Sequence, residues 1–298
     1  MAISADLPPT EMMYYTYEGN FKLDCDAKVL SCQFIDMDYG GDETAHREVK
    51  ISLDRTVLHA QGGGQPTDNG SIQILGCGDN GGEKREIVVT KILLDRATGI
   101  ASHMGKIDNT IAPSSLSSWI GEQVKVSVDA DRRQILSECH TAGHVVDMAM
   151  ARCEMMMPPT KAYHFLDGPY VEYKGKIAAE DRSPLLEKLQ KSFQELVESD
   201  IATEIHNVPR SEAEAICNNM TGGGGGGGDY FKIRDTFKED ETVRIVRVAR
   251  WPCPCGGTHV KSTGELKSRN WGITGFRCKK GAVRVKYGQD WNTGNDAK

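Results

Sequence analysis

The chain has 298 residues, 39% hydrophobic and 26% charged, with a formal net charge of −6, which is ordinary for a soluble globular protein of one large or two smaller domains. No apolar run reaches the ~18 residues of a membrane helix and the first residues show no signal-peptide pattern. The nine cysteines lack a disulfide-like spacing, so the expectation is a reduced, cytoplasmic protein without membrane contact.

Short β-rich runs at residues 28–34, 71–75, 85–89 and 123–128, separated by turn signals, predict a small β-barrel over roughly 1–130. Within that stretch lies L-H-A-Q-G-G-G-Q-P-T-D-N-G, residues 58–70. Gly62, Gly63 and Gly64 allow a backbone to approach a bulky ligand, with Gln65 and Asp68 aimed at it, and the same residues also suit a hairpin turn. The period then becomes helical. Asp129 or Asp131 caps a helix running through Ile135, Leu136, Cys139, Val146 and Met150.

Residues 163–165 and 170–173 read as two strands about the turn Asp167-Gly168-Pro169. Ser183 as cap and Pro184 at the first position open a helix with the stripe Leu185, Leu189, Phe193 and Leu196. Ser211 to Glu214 carries a capping-box signature for another short helix. The seven glycines at 222–228 read as a flexible loop, because no Lys-Ser/Thr follows to make a phosphate cradle. Strands return at 243–248, 272–276 and 282–287, giving an α+β region over 131–298.

The residues that carry chemistry are split between two places. His140 and His144, in C-H-T-A-G-H, share one helix face and can grip an ion from one side. Cys255 and His259, in P-C-G-G-T-H-V, sit about a Gly-Gly turn that can close the other side. Three imidazoles and a thiolate suit tetrahedral Zn2+. Thr141 stands where a zincin protease has its glutamate base, which excludes that class. Glu138 sits two residues before His140 and projects from another part of the helix. Cys253 and Cys278 offer a competing set, with which Cys255 would build a purely structural zinc knot.

Charge is unevenly placed. Residues 251–298 hold nine Lys or Arg against three Asp or Glu, whereas the first fifty hold ten acids against four bases. Lys261, Lys267, Arg269, Lys279, Lys280, Arg284 and Lys286 therefore form a candidate phosphate-contacting stretch, the alternative being a solvated basic face.

Four motifs occurring in this order, H-A-Q-G-G-G-Q-P-T-D-N-G, H-T-A-G-H, Y-H-F-L-D-G-P-Y-V-E-Y and P-C-G-G-T-H-V-K-S-T-G-E-L, resemble the AlaX family of free-standing alanyl-tRNA editing proteins. These are relatives of the editing domain of alanyl-tRNA synthetase and, more distantly, of threonyl-tRNA synthetase. The resemblance covers roughly residues 20–290. It implies a β-barrel followed by an α+β zinc-binding editing domain, with His140, His144, Cys255 and His259 as the ligands of one zinc. It implies, too, trans hydrolysis of mischarged tRNA(Ala), the seryl ester first and the glycyl ester second. With no synthetase domain before the motifs and no coiled-coil tail after them, the chain reads as an enzyme acting in trans.

On this reading the catalytic set is the four ligands with Gln65, which meets bound substrate without touching the metal. Gly62, Gly63, Gly64, Asp68 and Thr160 bind substrate, Thr160 lying near the family's hydroxyl sensor. Two other outcomes stay open: a deacylase of threonyl-tRNA, and a non-catalytic tRNA-binding protein stabilised by zinc. Four protein ligands would fill a structural site unless Cys255 or His259 is labile.

Overall fold

The computed structural model describes residues 7–35, 47–75, 85–111, 113–219 and 241–291, so the polyglycine run lies outside the described residues. The chain forms two compact units, residues 1–62 with 66–133, and residues 63–65 with 134–298.

The first unit contains β1 (Glu11–Met12), α1 (Tyr17–Asn20), β2 (Asp24–Phe34), β3 (Arg47–Leu53), β4 (Arg55–Thr56), β5 (Gly70–Ile74), β6 (Glu86–Asp95), β7 (Ile100–Ile107) and β8 (Gln123–Val128). Six of these strands close an antiparallel barrel in the order β2-β3-β7-β6-β5-β8, and closure leaves it no free sheet edge. Alternate residues point inward, so Val29, Ile51, Leu53, Ile72, Ile87, Val124 and Val126 fill the barrel and are almost wholly buried. The barrel expected from sequence is present. Two of its strands, β3 and β7, lie outside the runs read from the sequence, and β6 extends beyond its expected 85–89. In β7 the inward residues include Ala101, His103 and Gly105, which are small or polar and hide the alternation. In β6 a register shift between Val89 and Lys91 moves the buried set by one residue, to Ile92.

Asp68 is placed differently from its expected role. It is fully buried in the first unit, where its Oδ2 pairs with Arg133 Nη2 at 2.5 Å and accepts the His59 amide at 2.7 Å. A carboxylate so enclosed needs its cation, and it has no surface to offer a substrate.

Asp129 caps α2 (Ala130–Arg152), its Oδ1 accepting the Arg132 amide at 3.1 Å. The second unit continues with β9 (Pro159–Tyr163), β10 (Tyr170–Lys174), α3 (Arg182–Glu198), β11 (Glu204–Pro209), α4 (Arg210–Asn219), β12 (Thr242–Val248), β13 (Trp251–Pro254), β14 (Gly272–Lys279) and β15 (Ala282–Gly288). Its strands form a sheet in the order β14-β15-β10-β9 and a second, smaller one of β11-β12-β13. Leu185, Leu189, Phe193 and Leu196 of α3 join Val145, Val146 and Ala149 of α2 in the core, with Val171, Val283 and Val285 from the sheet.

Both later helices start before the residues expected to cap them. Asp181 precedes α3, and Pro184 is its third residue, within the first turn where a missing N–H costs nothing. Ser211 lies inside α4, which opens at Arg210 and is braced by the Arg210–Glu214 pair at 3.5 Å. Among the described residues, no helix is long and apolar enough to cross a membrane.

Candidate metal centre

The spacing of His140 and His144 does what one helical turn dictates. Both rings leave α2 on the same side, with centroids 5.1 Å apart. The turn after β13 brings His259 to within 4.5 Å of His140 and 4.8 Å of His144, centroid to centroid. Cys255 Sγ stands 3.4 Å from His140 Nε2 and 3.3 Å from His259 Nε2. A tetrahedral zinc with ordinary Zn–N and Zn–S bonds sets its ligand atoms about 3.3–3.5 Å apart, so these separations are those of a ligand shell. The four donor atoms lie within 4.8 Å of one another, and this group could hold a metal ion. Neither Cys253 nor Cys278 belongs to it.

The tautomers fit as well. His140 Nδ1 bonds Gln65 Oε1 at 2.7 Å and His259 Nδ1 bonds Thr141 Oγ1 at 3.1 Å, which frees both Nε2 atoms to face Cys255. His144 Nδ1 is buried with no hydrogen-bond partner, an orphan that a metal site explains. Burial, helped by the Arg244 guanidinium, holds the His144 pKa down to about 4, so the imidazole is neutral as a ligand must be. Burial pushes the Cys255 thiol up, with Arg244 opposing; a bound cation would reverse that direction.

Gln65 therefore occupies a different place from the one expected. It is fully buried, its Oε1 accepts the Thr258 amide at 2.9 Å as well as facing His140, and its Nε2 donates to Thr258 Oγ1 at 2.8 Å. Both ends of its amide are thus committed to His140 and Thr258. The glycines around it have separate reasons. Gly64 turns with φ +82° and lies against the Ala162 carbonyl, where any Cβ would collide, while its own oxygen accepts the His164 amide at 2.8 Å. A Cβ on Gly257 would overlap the His140 ring and the Gln65 amide. Gly63, with φ +58°, has open space around it, and Gly62 belongs to the first unit.

A cavity of about 390 Å³ opens on this group, lined by His140, His144 and Cys255, by Gly63, Gly64 and Thr160 of the expected substrate-binding set, and by residues that were given no role from the sequence. His164 is one. Its ring stacks on His140 at 4.2 Å, its Nδ1 bonds Tyr287 Oη at 2.5 Å, and burial beside His144 keeps its pKa near 3. Its position in Y-H-F, opposite in phase to two exposed-side aromatics, was the available signal. Asp147 is another, and the one carboxylate among the lining residues. It follows His144 by three residues and so shares its helix face. Its Oδ1 accepts the Tyr173 hydroxyl at 2.5 Å, and burial lifts its pKa to about 7. Thr160 also lines the cavity; its hydroxyl donates to Glu172 Oε1 at 2.9 Å.

Other expected roles meet competing partners. Glu138 is fully buried and accepts from Trp271 Nε1 at 2.9 Å and from Arg269 at 2.5 Å, which makes Arg269 its counter-ion. Lys267 pairs with Glu198 at 2.8 Å and Arg284 with Glu172 at 2.6 Å. Lys261, Lys279 and Lys280 are exposed.

Comparison with known proteins agrees with this arrangement. Residues 243–270, from β12 through the Cys255–His259 turn, match the family model described as the threonyl and alanyl tRNA synthetase second additional domain. Alanyl-tRNA editing protein AlaX-M of Methanosarcina barkeri is 30% identical over 218 residues, 73% of this chain and 79% of that protein. Alanyl-tRNA editing protein AlaX-L of Pyrococcus horikoshii is 26% identical over 244 residues, 77% of this chain and 51% of the relative. An alanine–tRNA ligase of Pyrobaculum aerophilum is 27% identical over 288 residues, 89% of this chain and 25% of the ligase. The chain thus spans about half of the AlaX-L protein and a quarter of the ligase. On the 30% identity over 79% of the AlaX-M protein, with the family-model match beside it, the chain belongs to the AlaX family of alanyl-tRNA editing proteins.

Proposed function

We propose that this chain is a trans-acting, zinc-dependent deacylase of mischarged tRNA(Ala), hydrolysing the seryl ester first and the glycyl ester second, in the cytoplasm. The observation that carries the reading is the His3Cys group, three of whose members line a cavity large enough for an aminoacyl ester, in a member of an editing family. The chemical need is general. A pocket that binds alanine separates it poorly from amino acids differing by a methylene or a hydroxyl, so a second, hydrolytic site must supply the discrimination.

His140, His144, Cys255 and His259 would hold the zinc, and when bound it supplies Lewis-acid polarisation of the ester carbonyl or of the attacking water. Gln65 and Thr141 fix the tautomers of His140 and His259. Asp147 receives the α-ammonium of the substrate, a charge that would be costly to enclose without a counter-ion. Thr160, its proton given to Glu172, keeps an oxygen able to accept a bond from a serine hydroxyl, which alanine lacks. Water adds to the carbonyl carbon, the ester C–O bond breaks, and the ribose oxygen leaves with a proton.

The test is deacylation by purified protein, with and without chelator, of tRNA charged with serine, glycine, threonine or alanine. Metal-dependent release of serine with alanine spared is expected. Release of threonine alone would move the substrate, and no release from any would leave a zinc-stabilised tRNA-binding protein. In parallel, alanine at His140, His144, Cys255 or His259 should lower zinc content. Full zinc in those variants, with loss on changing Cys253 and Cys278, would restore the structural knot.

A further inference from the structure

The outward face of the β14-β15-β10-β9 sheet is patterned in rows. The register places Tyr163 of β9 beside Tyr170 of β10, and Tyr170 beside Lys286 of β15. The next row runs Lys161, Glu172, Arg284, Arg277. Alternation keeps these on one side of the sheet, while Val171, Tyr173, Val283 and Val285 face the core. The aromatics are already stacked flat. Tyr163 lies 4.6 Å from Phe165 at 12° and 5.5 Å from Tyr170 at 23°, and Arg284 sits 4.8 Å above Tyr170. Lys161, Arg277, Arg284 and Lys286 are exposed, and the three rings are half-buried.

We propose that this face is a stacking platform for the single-stranded, base-bearing 3′ end of an RNA. Parallel rings give a sequence-tolerant surface for bases, and Lys161, Arg277 and Lys286 complement a phosphate chain, while Arg284 is paired with Glu172 and stacks on Tyr170. No such rings are needed to bind a duplex, whose bases are covered. The position also suits a terminal nucleotide. Tyr163 lies on the platform, Ala162 and His164 line the cavity of the metal centre, and Lys161, in the platform's second row, lines that cavity as well. One strand thus borders both, and a residue step of about 3.3 Å separates the two faces along it. The proposal rests on the deacylase reading for why RNA should end at this cavity, but its test does not.

The experiment is fluorescence anisotropy of a labelled, uncharged single-stranded oligoribonucleotide ending in CCA, with the zinc-loaded full chain. Tyr163→Ala and Tyr170→Ala should each weaken binding by roughly tenfold, within what loss of one base stack costs. Tyr163→Phe, which keeps the ring and loses only the hydroxyl bond to Asp167, should bind as the parent does. Unlabelled blunt duplex RNA should compete poorly. Unchanged affinity in both alanine variants, equal loss in Tyr163→Phe, or equal competition by duplex overturns the platform. Zinc content and melting temperature check that each variant is folded. Because the oligomer carries no ester, Tyr-dependent binding without any deacylation would sink the enzymatic reading and leave the platform standing. Deacylation with Tyr-independent binding would do the reverse.

Discussion

Gln65 and His140, seventy-five residues apart in sequence, are joined by a 2.7 Å hydrogen bond between Oε1 and Nδ1 inside the second unit. That bond fixes which imidazole nitrogen faces Cys255, so on the proposed reading the glycine motif would act on the metal through His140. Gln65→Ala should lower zinc affinity by about 10–100-fold, as loss of an outer-shell partner usually does. Gln65→Glu, still able to accept from His140 Nδ1 and from the Thr258 amide, should retain most of it. Competition with a chromogenic chelator measures both. An alanine variant with undiminished affinity would return Gln65 to a substrate role.

Gly257 tests the same region by volume instead of by hydrogen bonding. A methyl there has no room beside the His140 ring and the Gln65 amide. Gly257→Ala should cost on the order of 1–3 kcal/mol of stability, the usual range for overpacking, and should reduce zinc occupancy with it. Thermal melts in zinc and in chelator separate the two effects. Parental values for both would mean that the turn accommodates a side chain freely.

Asp147 predicts a kinetic split. If it receives the α-ammonium, Asp147→Asn should raise KM for seryl-tRNA by about tenfold with zinc content unchanged, the scale of one lost charge-assisted hydrogen bond. The parent should also reject N-acetyl-seryl-tRNA, and the variant should narrow that gap. A uniform fall in kcat for both substrates would instead make Asp147 a proton acceptor.

The barrel carries its own acid sensitivity. His103 is buried at β7, bonded through Nδ1 to the Ile51 carbonyl at 3.3 Å and through Nε2 to Thr56 at 3.0 Å, and desolvation lowers its pKa to about 4. The unfolded chain binds this proton near its ordinary value of about 6.5, before the folded chain does. Stability from His103 is thus complete above that pH and drains away as pH falls toward 4, at up to about 1.4 kcal/mol per pH unit. Urea midpoints measured between pH 7 and 4 should fall less steeply in His103→Gln. Equal slopes in the two proteins would assign the acid sensitivity to other groups.

The amino-acid sequence alone determined what depends on neighbours along the chain. Helical period placed His140 and His144 on one face of α2, and the Gly-Gly turn placed Cys255 near His259, because those spacings are set by backbone geometry. Alternation gave most of the barrel and the apolar stripe of α3 for the same reason. Only the tertiary structure decided which polar groups meet. Asp68, three residues after Gln65 in one motif, is consumed by Arg133 in the first unit, while Gln65 is drawn to Thr258 and His140 in the second. Arg269 serves the buried Glu138, and His164 and Asp147 reach the cavity from a strand end and a helix turn that look unremarked in the linear chain. A buried donor or acceptor must find a partner wherever the fold provides one, and that pairing is a property of three-dimensional proximity which no local spacing encodes.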